Sequence, residues 1–233
     1  MKTKIRTPFL EIGIKNYLYG NDVLKLAKTA DKAAIKYDVD VLFIAPYADI
    51  RMVSENTERL IVFAPYMDAL RPGRGVADVL PESLKAAGAK GVMLNHSERP
   101  MSIAKLRETI ERANELELLS FVCSDTIAET MAVAHLHPDI INPEPSELIG
   151  TGNVSDMSYV ATSIKAVKDV YPDILVEQAA GIRTGQQVFD NIMLGADGVG
   201  AASGICTSEN PLKTAEEMIY YTYLAKQELI NKK

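Results

Sequence analysis

GVMLNHSERP, residues 91–100, is the stretch on which the reading of the fold turns. Four apolar residues, Gly91 to Leu94, run straight into Asn95, His96, Ser97, Glu98 and Arg99, and a helical pattern begins at Met101, just past Pro100. An apolar run this short, bounded by polar and turn residues, suits a strand buried on both faces. The same unit recurs on either side. Further runs lie at Phe9–Ile14, Val41–Ala45, Leu60–Ala64, Leu119–Cys123, Ile140–Ile141, Ile174–Val176 and Gly198–Ala201. Between them lie helical patterns. Ile103, Leu106, Ile110 and Ala113 recur at three- or four-residue spacing, as do Val160, Ile164 and Val167. Val188, Ile192 and Leu194 do so less regularly, and Pro211-Leu212 opens a last helix through Met218 and Tyr221 towards Leu229. Strands alternating with helices argue for a parallel sheet. Eight such units in 233 residues favour an α/β fold of the closed (β/α)8 type, one domain over residues 1–233. The helical stretches in the 40s–50s and 70s–80s are short, which leaves an open sheet as the alternative.

Composition narrows the function classes. Hydrophobic residues make up 47% and charged residues 24%, enough for a sizeable core without disulfide or metal staples. The net charge of −6 and the lack of any lysine-arginine block argue against nucleic acid or an anionic membrane surface as partner. Cys123 and Cys206 stand far apart and outside any metal-ligand spacing, which reads as reduced core thiols in a cytoplasmic protein, with no metal. The opening MKTKIRTPFLEIGIK is interrupted by Glu11 and Lys15 and does not read as a signal peptide.

In a closed barrel, chemistry gathers at the carboxyl ends of the strands, so the residues that matter directly follow the apolar runs. Lys15 closes the first run, and Glu11, Gly13 and Lys15 share one face by strand alternation. On position alone a solvated lysine accounts for Lys15. Glu11, deeper on that face, would be a buried carboxylate whose partner the sequence does not name. A helix starting near Ser97 would give His96 a positive field that favours the neutral ring, and Glu98-Arg99 reads as a structural ion pair. Glu144 stands between two prolines in NPEPSELIGTG, and Pro145 restrains it at the base of a segment ending in Gly150-Thr151-Gly152. A rigid start and a glycine end suit a hinged lid with a general base at its root. AAGIRTG (179–185) and GAASG (200–204) follow the seventh and eighth runs, where exposed backbone N–H groups commonly hold phosphate.

NHSER, PEPSELIGTG, AGIRTG and GADGVGAASG, in this order, resemble the triosephosphate isomerase family in its shorter, archaeal-type form. The resemblance runs through nearly the whole chain and implies the (β/α)8 TIM barrel. It implies that Lys15 stabilises negative charge on an enediolate, that neutral His96 shuttles protons between two oxygens, and that Glu144 moves a proton between adjacent carbons. It implies a lid at residues 145–152 whose Ile149 and Gly150 close on the substrate phosphate. Gly181 and Arg183, and Gly200, Ala201, Ala202 and Ser203, would supply further phosphate contacts. It also implies a phosphorylated sugar as the small-molecule partner, no cofactor, and a homodimer or homotetramer. The departures fall around the ligand or the subunit contact. Gly13 replaces the family's usual asparagine and leaves room beside the substrate. Arg183 replaces a serine, Pro100 an arginine, and Pro65-Tyr66-Met67-Asp68 and Arg74-Gly75-Val76 depart from the usual loop after the third strand. The first expectation is interconversion of dihydroxyacetone phosphate and glyceraldehyde 3-phosphate. The room at Gly13 and the cation at Arg183 leave open a sister isomerase of a larger sugar phosphate, such as a tetrulose phosphate. A non-catalytic sugar-phosphate binding protein is the reading from another class, and the intact Lys15, His96 and Glu144 argue against it.

Overall fold

The structure, a computed structural model, describes residues 1–148 and 156–232. Its strands are β1 (Phe9–Gly13), β2 (Asp40–Ile44), β3 (Ile61–Ala64), β4 (Gly91–Leu94), β5 (Leu119–Ser124), β6 (Ile140–Pro143), β7 (Leu175–Gln178) and β8 (Gly198–Ala201). They pair in chain order, all parallel, and close into a barrel. The closing seam sets Phe9 opposite Gly198 and Glu11 opposite Gly200, which settles the barrel against the open sheet.

Helices cover the outside: α1 (Asn21–Tyr37), α2 (Ile50–Glu55), α3 (Pro81–Ala86), α4 (Ile103–Glu115), α5 (Ile127–Ala134), α6 (Met157–Lys168), α7 (Gly185–Met193), α8 (Ser203–Cys206) and α9 (Pro211–Asn231). Strand alternation divides the apolar side chains into two sets. Leu10, Ile12, Val92, Val176 and Val199 point outward and join Leu26, Leu106, Val188 and Ile219 of the helices in the larger core. Each such side chain, fully buried, contributes about 1.5–3 kcal/mol. Phe9, Leu42, Phe63, Phe121 and Ile140 point inward and fill the lower barrel. Phe63 and Phe121 meet edge to face with centroids 6.3 Å apart. Large side chains there face residues with none. A Cβ on Gly91 would lie 2.2 Å from the Phe63 ring, and one on Gly198 would lie 2.2 Å from the Phe9 ring. Above this aromatic layer the interior turns polar, with Glu11, Asn142 and Glu177 all buried.

Candidate active site

Lys15 lies two residues beyond β1 with φ 47°, a left-handed conformation uncommon for a residue with a side chain. Glu11 and Gly13 do share the inward face of β1, but Lys15 reaches the barrel mouth through this turn rather than by strand alternation. Its ammonium pairs with Glu98 Oε1 at 2.9 Å. The expected Glu98–Arg99 ion pair is therefore replaced, because each residue has a nearer partner: Arg99 lies 4.3 Å over the ring of Tyr66. Partial burial opposes ionisation of Glu98, but the hydrogen bond and charge of Lys15 hold its carboxyl below the usual range.

His96 follows β4 and is aimed by its neighbour. Asn95 adopts φ 57°, a region asparagine tolerates better than most residues. Its side-chain amide donates to the Cys123 carbonyl at 3.0 Å and to Glu129 Oε1 at 2.9 Å, and its Oδ1 accepts from the Met101 N–H at 2.8 Å. With Asn95 tied on three sides, the His96 ring is turned into the cavity. The Glu98 N–H donates to His96 Nδ1 at 3.1 Å, so the ring proton of the neutral tautomer sits on Nε2, facing Glu144. Burial, with the Lys15 charge adding to it, pushes the imidazole down to about 4, and Glu98 pulls weakly the other way. The helix expected to start near Ser97 does not form. Residues 96–99 make a turn closed by the Arg99 N–H on the His96 carbonyl at 2.7 Å, and α4 begins at Ile103 under a Ser102 cap. Pro100 is the reason, since it disfavours the helical region for Arg99. The ring is neutral through desolvation and a nearby ammonium, not through a helix terminus.

Glu144 is the first residue past β6, and its N–H is held by the Ser124 carbonyl at 2.8 Å. Its Oε2 lies 3.8 Å from His96 Nε2. Burial raises its carboxyl, with Lys15 pulling the other way. Ser146 donates its N–H and its hydroxyl to the Asp125 carboxylate at 2.8 and 2.9 Å, which anchors the chain as it leaves the base. Ile149 and Gly150, and with them half of the expected lid, lie outside the described residues.

The opposite wall comes from the turns after β7 and β8. Gly181 has φ 70°, which favours glycine. A Cβ on Gly204 would lie 2.0 Å from the Ile182 carbonyl oxygen, so the two turns meet backbone to backbone. Gly181, Ile182, Ala202 and Ser203 line the cavity of about 580 Å³ that Lys15, His96 and Glu144 also line. Gly200 and Ala201 lie lower, inside β8. Arg183 is exposed, does not line this cavity, and gives its N–H to Gln187 Oε1 at 2.8 Å. The room expected beside Gly13 is also absent. A Cβ there would sit 2.8 Å from Glu11 Oε1, so the Glu11 carboxyl already fills that volume.

The family profile described as Triosephosphate isomerase matches residues 8–210. The chain belongs to the triosephosphate isomerase family. It is 36% identical over 219 residues to the triosephosphate isomerase of Sulfolobus acidocaldarius, covering 92% of this chain and 95% of that one. It is 35% identical over 217 residues to that of Methanothermus fervidus, covering 91% and 97%. The triosephosphate isomerase of Methanocaldococcus jannaschii is 35% identical over 209 residues, 88% of this chain and 95% of its own.

Within this family's frame, sequence reasoning misses the ties that aim the three groups. Glu129 accepts from both the Asn95 side chain and the Asp125 N–H at 3.1 Å, linking the His96 turn to the anchor of the Glu144 segment. The signals for it are the asparagine at a strand exit and the VCSD motif preceding the α5 cap. Glu177 is missed as well. It ends a strand in sequence, yet its side chain is fully buried inside the barrel.

Proposed function

We propose that the chain interconverts dihydroxyacetone phosphate and glyceraldehyde 3-phosphate through an enediolate, with Lys15, His96 and Glu144 as the catalytic groups. The observation that carries this reading is the 3.8 Å approach of Glu144 Oε2 to a His96 Nε2 that bears the proton, at a cavity Lys15 also lines. In that arrangement Glu144 takes a proton from the carbon next to the carbonyl and returns it to the neighbouring carbon. His96 donates to the carbonyl oxygen as charge develops there, and a ring held neutral does so without leaving a permanent charge. Lys15 supplies the fixed positive charge, and its pairing with Glu98 keeps the ammonium in place. The raised Glu144 carboxyl is a stronger base than a solvated one.

The phosphate is held, in this reading, by amides around Gly181, Ile182, Ala202 and Ser203, with Ile149 and Gly150 closing over it. Neither feature that suggested a four-carbon substrate supports it, since Glu11 fills the space beside Gly13 and Arg183 lies off the cavity wall. Association as a homodimer or homotetramer, and action in the cytoplasm, belong to the same proposal. Among the described residues no helix is long and apolar enough to cross a membrane.

The test is a coupled assay with dihydroxyacetone phosphate beside a tetrulose phosphate, on the wild type and Glu144→Asp. The three-carbon substrate is expected to turn over faster. Glu144→Asp is expected to lower kcat by about 10²-fold or more with KM nearly constant, as for a group that acts only in the transition state. Unchanged kcat in that variant removes Glu144 from the role of base.

A further inference from the structure

The cavity floor holds a cost that packing does not explain. Among the described residues, buried side-chain atoms without a hydrogen-bond partner include Glu11 Oε1, both carboxyl oxygens of Glu177 and Asn142 Oδ1. Glu11 and Asn142 line the active-site cavity, and Glu177 lies beside Glu11. A Cβ on Gly200 would fall 2.5 Å from Glu11 Oε2 and 2.1 Å from Glu177 Oε1, so the two carboxyls converge on one glycine. Two glycines, Gly13 and Gly200, thus clear space for them. Leucines in those places would bury no polar atom without a partner.

We propose that Glu11, in its acid form, donates a hydrogen bond to a substrate oxygen at the cavity floor, standing in the side-chain volume of residue 13 with Glu177 packed behind it. The inference rests on the isomerase reading above and adds a fourth side chain to it. Glu11 Oε1 lies against Gly13, two residues before the Lys15 ammonium, on the same wall of the cavity. A substrate lying between Lys15, His96 and Glu144 presents its oxygens to that floor. A neutral acid donates to an oxygen that is gaining negative charge; a carboxylate in the same place would repel it. No proton is transferred by Glu11 in this role.

The surroundings keep the acid protonated. Burial, then the charge of Glu144, push Glu11 up to about 8, with Lys15 opposing. Burial and then the charge of Glu11 push Glu177 well above the usual carboxylate range. The other ionisable groups facing the pair are the Cys123 thiol from β5 and the Cys206 thiol from α8, and burial raises both. Cys206 Sγ is directed to the Gly13 carbonyl at 3.7 Å. Burial thus favours the neutral form of both acids on the floor.

The experiment compares the wild type, Glu11→Leu, Glu11→Gln, Glu11→Ala and the double variant Glu11→Ala/Gly13→Asn. It measures kcat and KM on dihydroxyacetone phosphate between pH 6 and pH 10, with Tm for each. Glu11→Leu is expected to raise Tm and lower kcat by about tenfold or more, consistent with loss of a donor to developing charge. Glu11→Gln keeps a donor that cannot ionise, so it recovers most of that loss and lacks the decline the wild type shows above pH of about 8. The double variant moves the donor to residue 13 and is expected to exceed Glu11→Ala in kcat. Wild-type kcat and pH profile in Glu11→Leu overturn the inference while leaving the isomerase intact. Equal losses in Glu11→Leu and Glu11→Gln also overturn it. A wild type that does not turn over the triose phosphate overturns the isomerase reading and this one with it.

Discussion

In the lower half of the barrel interior the rings of Phe9 and Phe63 fill the space left by Gly198 and Gly91. In the upper half the carboxyls of Glu11 and Glu177 fill the space left by Gly13 and Gly200. The packing plan is the same, a large side chain over a residue without one, and the chemistry is opposite. Below, the inward apolar groups gain from leaving water. Above, Glu11 and Glu177 are buried with carboxyl oxygens left unpaired. The difference separates stability from function within one cylinder: the lower layer holds the strands together, and the upper layer holds unsatisfied groups where the substrate is to lie.

The comparison can be broken most forcefully from below. Phe63→Ala removes a fully buried ring from the aromatic layer and is expected to cost about 3–5 kcal/mol in urea unfolding. The kcat of the molecules that remain folded is expected to stay near the wild-type value. A selective loss of kcat would show that the two layers are not independent. Gly200→Ala strikes the upper layer with a smaller effect. Its new methyl meets both carboxyls, and a loss of about 1–3 kcal/mol is expected from overpacking. In a Glu177→Ala background the same change is expected to cost much less, a coupling that a double-mutant cycle measures. Additive effects would mean the carboxyls do not sit over that glycine.

A third effect is in the pH dependence of stability. Glu11 has a folded-state pKa above its unfolded value, so the folded state binds that proton more tightly. Its contribution is most favourable below the ordinary carboxyl range, declines as pH rises, and levels off beyond about 8. The Tm of the wild type relative to that of Glu11→Leu is therefore expected to fall between pH 5 and pH 8. An equal slope in both proteins would place the titration elsewhere.

Much of this architecture is legible in the order of the amino acids. The apolar runs locate all eight strands within about two residues, because strands buried on both faces carry an unbroken apolar signal. Lys15, His96 and Glu144 are singled out in the sequence by lying within three residues of such a run and by the family resemblance. The relations between them are not. Lys15 finds Glu98 across 83 residues, and no local pattern encodes that pairing. The source of the neutral imidazole differs from expectation for a local reason, as Pro100 delays the helix to Ile103. Gly13 looks like an opening because nothing in the neighbouring residues signals that the Glu11 side chain folds under it. Glu177 escapes notice because a glutamate at the end of an apolar run reads as a solvated strand terminus.

The seam between β1 and β8 has a consequence for the order of assembly. Phe9 and Glu11 stand opposite Gly198 and Gly200, so their inward neighbours are about 190 residues away along the chain. Contacts so distant are late to form. During synthesis the first strand would emerge with an acid and an aromatic ring lacking the glycines that accommodate them. The cavity floor, divided between the first strand and the last three, is thus completed only when translation is nearly finished, and a nascent chain halted before residue 198 would hold His96 and Glu144 with no finished vessel to use them in.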